Sequence, residues 1–386
     1  MQRTGTATLP LHYGTAPRWL FGRMVKLADG IVRIMVDEYG AEEFLKRISD
    51  PFWFQSFSCV LGFDWHSSGT TTVTCGALKQ VLSPGIGVVV AGGKGRASRK
   101  SLSDIEKYAE IFDLDAEKFR YLSRMTAKVD NTALQDGHQL YHHSFFITRD
   151  GKWAVVQQGM NPEQQTARRY HWFSENVKNV VVEPHNAILG DSKIENVLDM
   201  TAKKSEEARK TSVDLGKEKP VKLKNLIKSM RKPYQKGLEE YIHTDVKRTK
   251  LSNMKFICEV LTEKPSVAEF TETLSMPKRI NWEIMKKVYD FQPRNYEEFL
   301  SIKGVGPGTV RALALISDLI YGKKPSWKDP VKYSFTVGGK DGVPYPVNRK
   351  VMDKSIEILR QGIEESKIGR NEKIDALRRL RKILPG

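Results

Sequence analysis

Glu297-Glu298-Phe299-Leu300-Ser301-Ile302-Lys303-Gly304-Val305-Gly306-Pro307-Gly308-Thr309-Val310-Arg311-Ala312-Leu313 is the stretch on which the reading of this 386-residue chain turns. Two apolar-patterned helical flanks meet across Lys303 to Gly308. Gly304 and Gly306 permit backbone angles and a close approach that a Cβ would block, and Val305 between them is suited to anchor the turn inward. Pro307 fits the first turn of the second helix, where a missing N–H leaves nothing unpaired. The free amides of that turn, at Gly308 and Thr309, combine with the helix dipole to make a phosphate site that reads no bases. Lys303 and Arg311 add positive charge at its rim.

Outward from this element the pattern stays helical, with expected helices at 228–240, 250–261, 267–272, 282–289, 296–302, 309–321, 351–365 and 372–383. Charge separates the two halves of the chain. Residues 201–386 hold 40 Lys/Arg against 24 Asp/Glu, whereas residues 1–200 hold 23 against 22. A basic half joined to a neutral half predicts a polyanion-binding module attached to something with another task. Histidine runs the other way: only His243 of eight follows residue 186. Because histidine titrates near neutrality, chemistry is expected in the first half.

That first half reads as α+β or α/β. Helices are expected at 16–36 and 41–48, and short β-type runs at 57–63, 70–74 and 86–90. The last run enters the loop Ala91-Gly92-Gly93-Lys94-Gly95-Arg96, after which Ser103 and Glu106 form a capping box for a helix over 105–112. Asp150-Gly151 between Ser144–Thr148 and Trp153–Gln157 predicts a hairpin, and a further strand is expected at 180–183. The division that follows is an α/β catalytic domain over 1–190, a helical connector over 191–225 and an all-α domain over 226–386.

Two constellations carry candidate chemistry. One is Asp64-Trp65-His66, leaving an apolar run; the other gathers His138, His142 and His143 ahead of the hairpin. Neutral imidazole can attack phosphorus or take a proton from water, and imidazolium can protonate a leaving oxygen. His and carboxylates such as Asp64 and Asp136 could instead hold a divalent ion, magnesium or manganese, that generates the nucleophile. Lys94 and Arg96 suit a loop lying on a nucleic-acid backbone, since the loop lacks the Gly-Lys-Ser/Thr ending that cradles nucleotide phosphates. Cys59, Cys75 and Cys258 have no zinc or disulfide spacing. No run of 18 apolar residues and no apolar N-terminal stretch occur, so a cytoplasmic protein is expected.

The stretch 297–313 resembles the helix-hairpin-helix DNA-binding element, and its surroundings resemble the helical domain of base-excision DNA glycosylases. In bifunctional members of that family a catalytic Lys stands where this chain has Gly308, and the family's catalytic Asp falls where it has Asn348, so the resemblance implies a DNA grip without base-excision chemistry. His143, Asp150, Trp153, Gly159 and Asn161 half-resemble the phospholipase D signature, with Phe145 at the position of its Lys. The whole chain resembles the DUF763 family of archaea and thermophilic bacteria, through Leu9-Pro10-Leu11-His12, Phe63-Asp64-Trp65-His66-Ser67-Ser68-Gly69-Thr70, Tyr141-His142-His143-Ser144 and Gln157-Gln158-Gly159-Met160-Asn161.

Together these readings predict a DNA-repair or recombination protein, a nuclease whose first domain hydrolyses phosphodiesters while the last grips DNA with little sequence preference. The alternative is a non-catalytic architectural DNA-binding protein whose first domain self-associates or binds a repair partner.

Overall fold

The computed structural model describes residues 18–62, 69–190, 193–228, 276–277, 279–331, 333–334, 349–366 and 368–383. The chain divides into two compact units. One is Met1–Asn131 with Gly137–Lys193 and Pro330–Gly386; the other is Thr132–Asp136 with Ile194–Asp329.

In the first unit, α1 (Arg18–Ser49) changes direction at Gly40, whose φ of 87° only glycine adopts readily. Helices α2 (Pro51–Val60) and α3 (Gly69–Val81) follow, α2 opened by the Asp50 carboxylate accepting from the Trp53 amide. The strands expected from Phe57 and from Thr70 are therefore helices. Nine of the ten residues of α2 are buried, and a helix wrapped by protein on every side loses the amphipathic stripe that would distinguish it from a strand.

The strands are β1 (Val88–Lys94), β2 (Leu134–Gln135), β3 (Gln139–Thr148), β4 (Trp153–Asn161), β5 (Thr166–Phe173), β6 (Ala187–Gly190), β7 (Leu198–Asp199) and β8 (Tyr333–Ser334). Six form one sheet in the order β1-β3-β4-β5-β6-β8, antiparallel throughout except where β8 runs beside β6. The first unit is thus α+β, and the strand, loop and helix succession around residue 90 builds no parallel crossover. The Asp150-Gly151 hairpin forms as expected, with Gly151 at φ 81° and the Thr148 amide donating to the Lys152 carbonyl at 2.9 Å. No strand forms over 180–183; β5 and β6 flank that segment instead.

Beyond β1 come α4 (Arg96–Arg99), α5 (Ser101–Phe112) and α6 (Ala116–Lys128). Helix α5 begins two residues before Ser103, whose hydroxyl donates to the Lys100 carbonyl at 2.9 Å, so the expected capping box is not made.

One face of the sheet presents Phe146, Ala154, Val156 and Phe173 to a core built with Met24, Ile31, Phe44, Trp53 and Phe57. The helices Arg349–Glu365 and Arg370–Ile383 add Ile358, Leu359, Ile363, Ala376 and Leu380 to that core. At Gly362 a Cβ would lie 2.9 Å from the Ile31 Cα, so the two backbones meet directly. Residues 330–386, expected in the C-terminal domain, accordingly belong to the first unit. An apolar stripe shows that a helix needs a partner without saying which one. Of the 40 Lys/Arg beyond residue 200, 13 lie in this returning segment.

The second unit packs α7 (Glu206–Gly216) with the helices Trp282–Phe291, Tyr296–Ser301 and Pro307–Leu319. Its described residues are mainly rather than wholly helical, because β2 and β7 form an antiparallel ribbon among them. The helices expected between 229 and 272 lie outside the described residues.

Candidate functional site

Strand β3 decides where the histidines go. Side chains alternate across a strand, and the register His142↔Gln158 and His143↔Gln157 places the two neighbours on opposite faces of the sheet. A bulge at Tyr141 shifts the pairing just before them. Expected as one cluster, His138, His142 and His143 make separate hydrogen bonds, although His142 and His143 both line one cavity. His138 bonds Thr166 Oγ1 at 3.0 Å, and His142 Nε2 bonds Ser144 Oγ at 3.0 Å.

His143 stands on the face covered by α6. Its Nδ1 lies 2.8 Å from Gln157 Oε1 and its Nε2 2.8 Å from Ser123 Oγ. The tautomer follows from the next bond out. Gln157 Nε2 donates to Asp130 Oδ2 at 2.6 Å and to the Thr126 carbonyl at 3.3 Å, both pure acceptors, so Oε1 must be the atom facing His143. His143 then carries its proton on Nδ1, and Nε2 accepts from the Ser123 hydroxyl. Burial pushes the His143 imidazole down to about 4, so it is neutral at ordinary pH. Asp130 is fully buried in a π-helical turn over Val129–Ala133 and also takes Trp172 Nε1 at 3.0 Å and His185 Nε2.

Ser123 and His143 border a partly open cavity of about 270 Å³ that is also lined by Ser98, Arg99, Ser101 and Arg124. Both arginines are exposed, and no carboxylate lines the cavity. A neutral base, a hydroxyl and two cations around one space suit an anionic reactant. Lys94 and Arg96 are exposed nearby in sequence, and the Lys94 ammonium lies 6.0 Å from the Tyr141 ring centre. Gly92 is required where β1 crosses β3, since a Cβ there would sit 2.3 Å from the His143 carbonyl oxygen.

On the opposite face Arg169, 2% exposed, donates from Nε to His171 Nε2 at 2.9 Å and from Nη2 to Gln55 Oε1 at 3.0 Å, while its guanidinium stacks 4.6 Å from the Phe54 ring. His171 Nδ1 must then donate to the Ile48 carbonyl, 3.1 Å away. Burial pulls Arg169 down to about 9 and His171 well below its usual value.

The phospholipase D-like spacing does not assemble. His143 lies in β3 and Asp150 in the turn beyond its far end, roughly 20 Å away at the rise of a strand. Asn161 caps a turn, accepting from the amides of Glu163 and Gln164. Asp64 and His66 lie outside the described residues, and Asp136 is buried in the second unit. Among the described residues no group of three His, Cys, Asp or Glu is placed to hold a metal ion.

In the second unit Lys303 and Gly304 are exposed at the turn between two helices, and Val305 is buried beneath them. Gly304 has φ 102°, which glycine alone adopts readily, and a Cβ there would also lie 2.2 Å from Ile284 Cδ1 and push that side chain aside. Gly306 precedes the helix Pro307–Leu319 with no side-chain cap on its first amides. Thr309 is buried and Gly308 partly so. Arg311, expected at the phosphate rim, instead donates to Gln135 Oε1 at 3.1 Å and lies 5.7 Å from the Trp327 ring centre.

Sequence reasoning missed Ser123, Gln157 as an orienting residue, and Asp130. Ser123 offered one signal, a hydroxyl on the buried face of α6 among Phe119, Leu122 and Thr126.

Fold and cavity define an α+β protein with a mixed sheet, a cavity lined by Ser123, His143, Arg99 and Arg124, and a second unit whose described residues are mainly helical. The chain belongs to the family described as "Protein of unknown function (DUF763)", whose model matches residues 5–347. No curated protein and no solved structure matches it. Among the described residues no helix is long and apolar enough to cross a membrane.

Proposed function

We propose that this protein is a DNA-binding phosphodiester hydrolase of repair or recombination: the turn Lys303–Gly308 holds DNA backbone as a helix-hairpin-helix, and the cavity at His143 performs the cleavage. The observation that carries the reading is the cavity itself, where a neutral buried imidazole with a hydroxyl on its lone pair meets Arg99 and Arg124 and no carboxylate. A phosphodiester is an anion whose cleavage develops further negative charge, which such cations stabilise. The uncapped amides after Gly306 and the exposed Lys303 support the grip. The second reading, a non-catalytic architectural protein, draws support from His143 itself, which is 7% exposed with both ring nitrogens bonded.

Incubation of the full chain with single- and double-stranded DNA, with and without magnesium or manganese, separates the two. Cleavage that His143→Gln removes while binding persists supports the hydrolase; binding without cleavage under every condition supports the architectural protein. Lys303→Ala is expected to weaken binding alike for all sequences and to lower the salt slope by about one, and an unchanged slope would sink the grip. Arg311→Ala is no test of it, because that side chain already serves Gln135 and Trp327.

A further inference from the structure

We infer that Ser123 is the nucleophile of this site, attacking phosphorus to form a phosphoseryl intermediate; the assignment rests on the phosphodiester reading for its substrate and on geometry for its residue. Three observations lead to it. His143 is held with its proton on Nδ1, because Asp130 and the Thr126 carbonyl fix the Gln157 amide. Its one lone pair, on Nε2, is already occupied by the Ser123 hydroxyl at 2.8 Å. A water could reach that lone pair only by displacing Ser123, so the proton this base is placed to remove is the serine's. Arg124, next in sequence, and Arg99 border the same cavity and can carry the charge that builds on the phosphoryl oxygens. Nucleophile, base and orienting group within hydrogen-bond reach of one another are the arrangement that activates an otherwise weak hydroxyl.

The step balances as follows. Ser123 Oγ bonds to phosphorus while its proton passes to His143 Nε2; the bond from phosphorus to one ester oxygen breaks, and that oxygen leaves with the proton from Nε2. Water then gives a proton to Nε2 and bonds to phosphorus, and the phosphorus bond to Oγ breaks as Oγ recovers the proton. One phosphodiester and one water become a phosphomonoester and an alcohol, with no redox change.

The test uses diisopropyl fluorophosphate, a phosphorus electrophile that needs no DNA, on the purified full chain. One diisopropylphosphoryl adduct is expected, mapped by peptide mass spectrometry to Ser123. It should be lost in Ser123→Ala and slowed roughly 10²- to 10⁴-fold in His143→Gln. Ser123→Cys keeps the shape and a nucleophile, so it should retain labelling if Ser123→Ala misfolds. No adduct at Ser123 in the unaltered protein overturns the assignment. The two proposals fail separately: a Ser123 adduct on a protein that cuts no nucleic acid keeps the nucleophile and removes the substrate, whereas DNA cleavage undiminished in Ser123→Ala keeps the substrate and removes the nucleophile.

Discussion

The two faces of the first unit's sheet each hold a buried neutral histidine with its proton on Nδ1, and they differ in what occupies Nε2. On the α1–α3 face the occupant is the Arg169 guanidinium; on the α6 face it is the Ser123 hydroxyl. Burial does not separate the two, since His171 is 0% exposed and His143 7%. The donor does. The Arg169 guanidinium, even drawn down to about 9, stays charged at neutral pH and has no proton to give to a base, so His171 serves structure, tying β5 to the Ile48 carbonyl. A hydroxyl can give its proton up when an electrophile is near, and Ser123 borders a cavity with Arg99 and Arg124.

If that contrast is right, the largest effect comes from breaking the sealed face. Arg169→Met removes the donor to His171 and Gln55 and leaves both acceptors buried without it. A stability loss on the order of 3 kcal/mol is expected. Ser123→Ala removes one hydroxyl whose partner borders a cavity, and about 1 kcal/mol is expected. Urea unfolding of both variants measures the difference. Equal losses would mean that the two faces are structurally alike and that the donor distinguishes nothing.

A comparable effect follows from acid. Burial holds His142 at about 3 and His143 at about 4 in the folded protein, against an ordinary 6.5. The folded pKa is depressed, so the unfolded chain takes up protons first. Stability is full above about pH 6.5 and falls as pH drops toward 4, with His143 alone accounting for about 3 kcal/mol by the end. His143→Gln should flatten part of that fall. The same depression keeps Nε2 free of a proton, so phosphorylation of Ser123 by diisopropyl fluorophosphate should lose no rate to His143 protonation between about pH 8 and 5. An acid limb in that rate near 6.5 would contradict the buried neutral base.

Legibility followed the same division between local and long-range causes. The Asp150-Gly151 hairpin was readable because two residues dictate the turn, and the helices Trp282–Phe291 and Tyr296–Ser301 were readable from apolar spacing; in the structure Asn281 and Asn295 cap them. Helix α2 was not, because its burial on all sides erases the stripe, and α3 was not, because the β-branched run Thr70–Thr74 suits a strand. His142-His143 invited reading as a pair, although the period of two in a strand sends neighbours apart. Strand β5 hid for a related reason: Arg168, Arg169 and His171 look solvated in sequence, and all three are at most 2% exposed. Asp130 sits in no motif, and its place in the chain from His143 through Gln157 depends on residues 27 positions apart.

The sharpest comparison uses one substitution on both faces and expects opposite responses to pH, each of about 1 kcal/mol. Gln157→Glu replaces an amide that donates to Asp130 Oδ2 at 2.6 Å. Ionised, the new carboxylate would face another; protonated, its O–H can keep the bond to Asp130 while its other oxygen still accepts from His143. Its folded pKa is therefore raised above the ordinary 4.3, and the variant loses stability relative to the unaltered protein as pH rises from 4.3 through that raised value. Gln55→Glu places the carboxylate 3.0 Å from the Arg169 guanidinium instead. There the folded pKa is lowered, so the variant gains relative stability as pH rises through that depressed value toward 4.3 and keeps the gain above it. Denaturant midpoints for both variants and the unaltered protein between about pH 2.5 and 8 decide the matter. Curves of the same slope would mean that the charge environments of the two faces are alike, and the assignment of chemistry to the Ser123 side would then rest on the cavity alone.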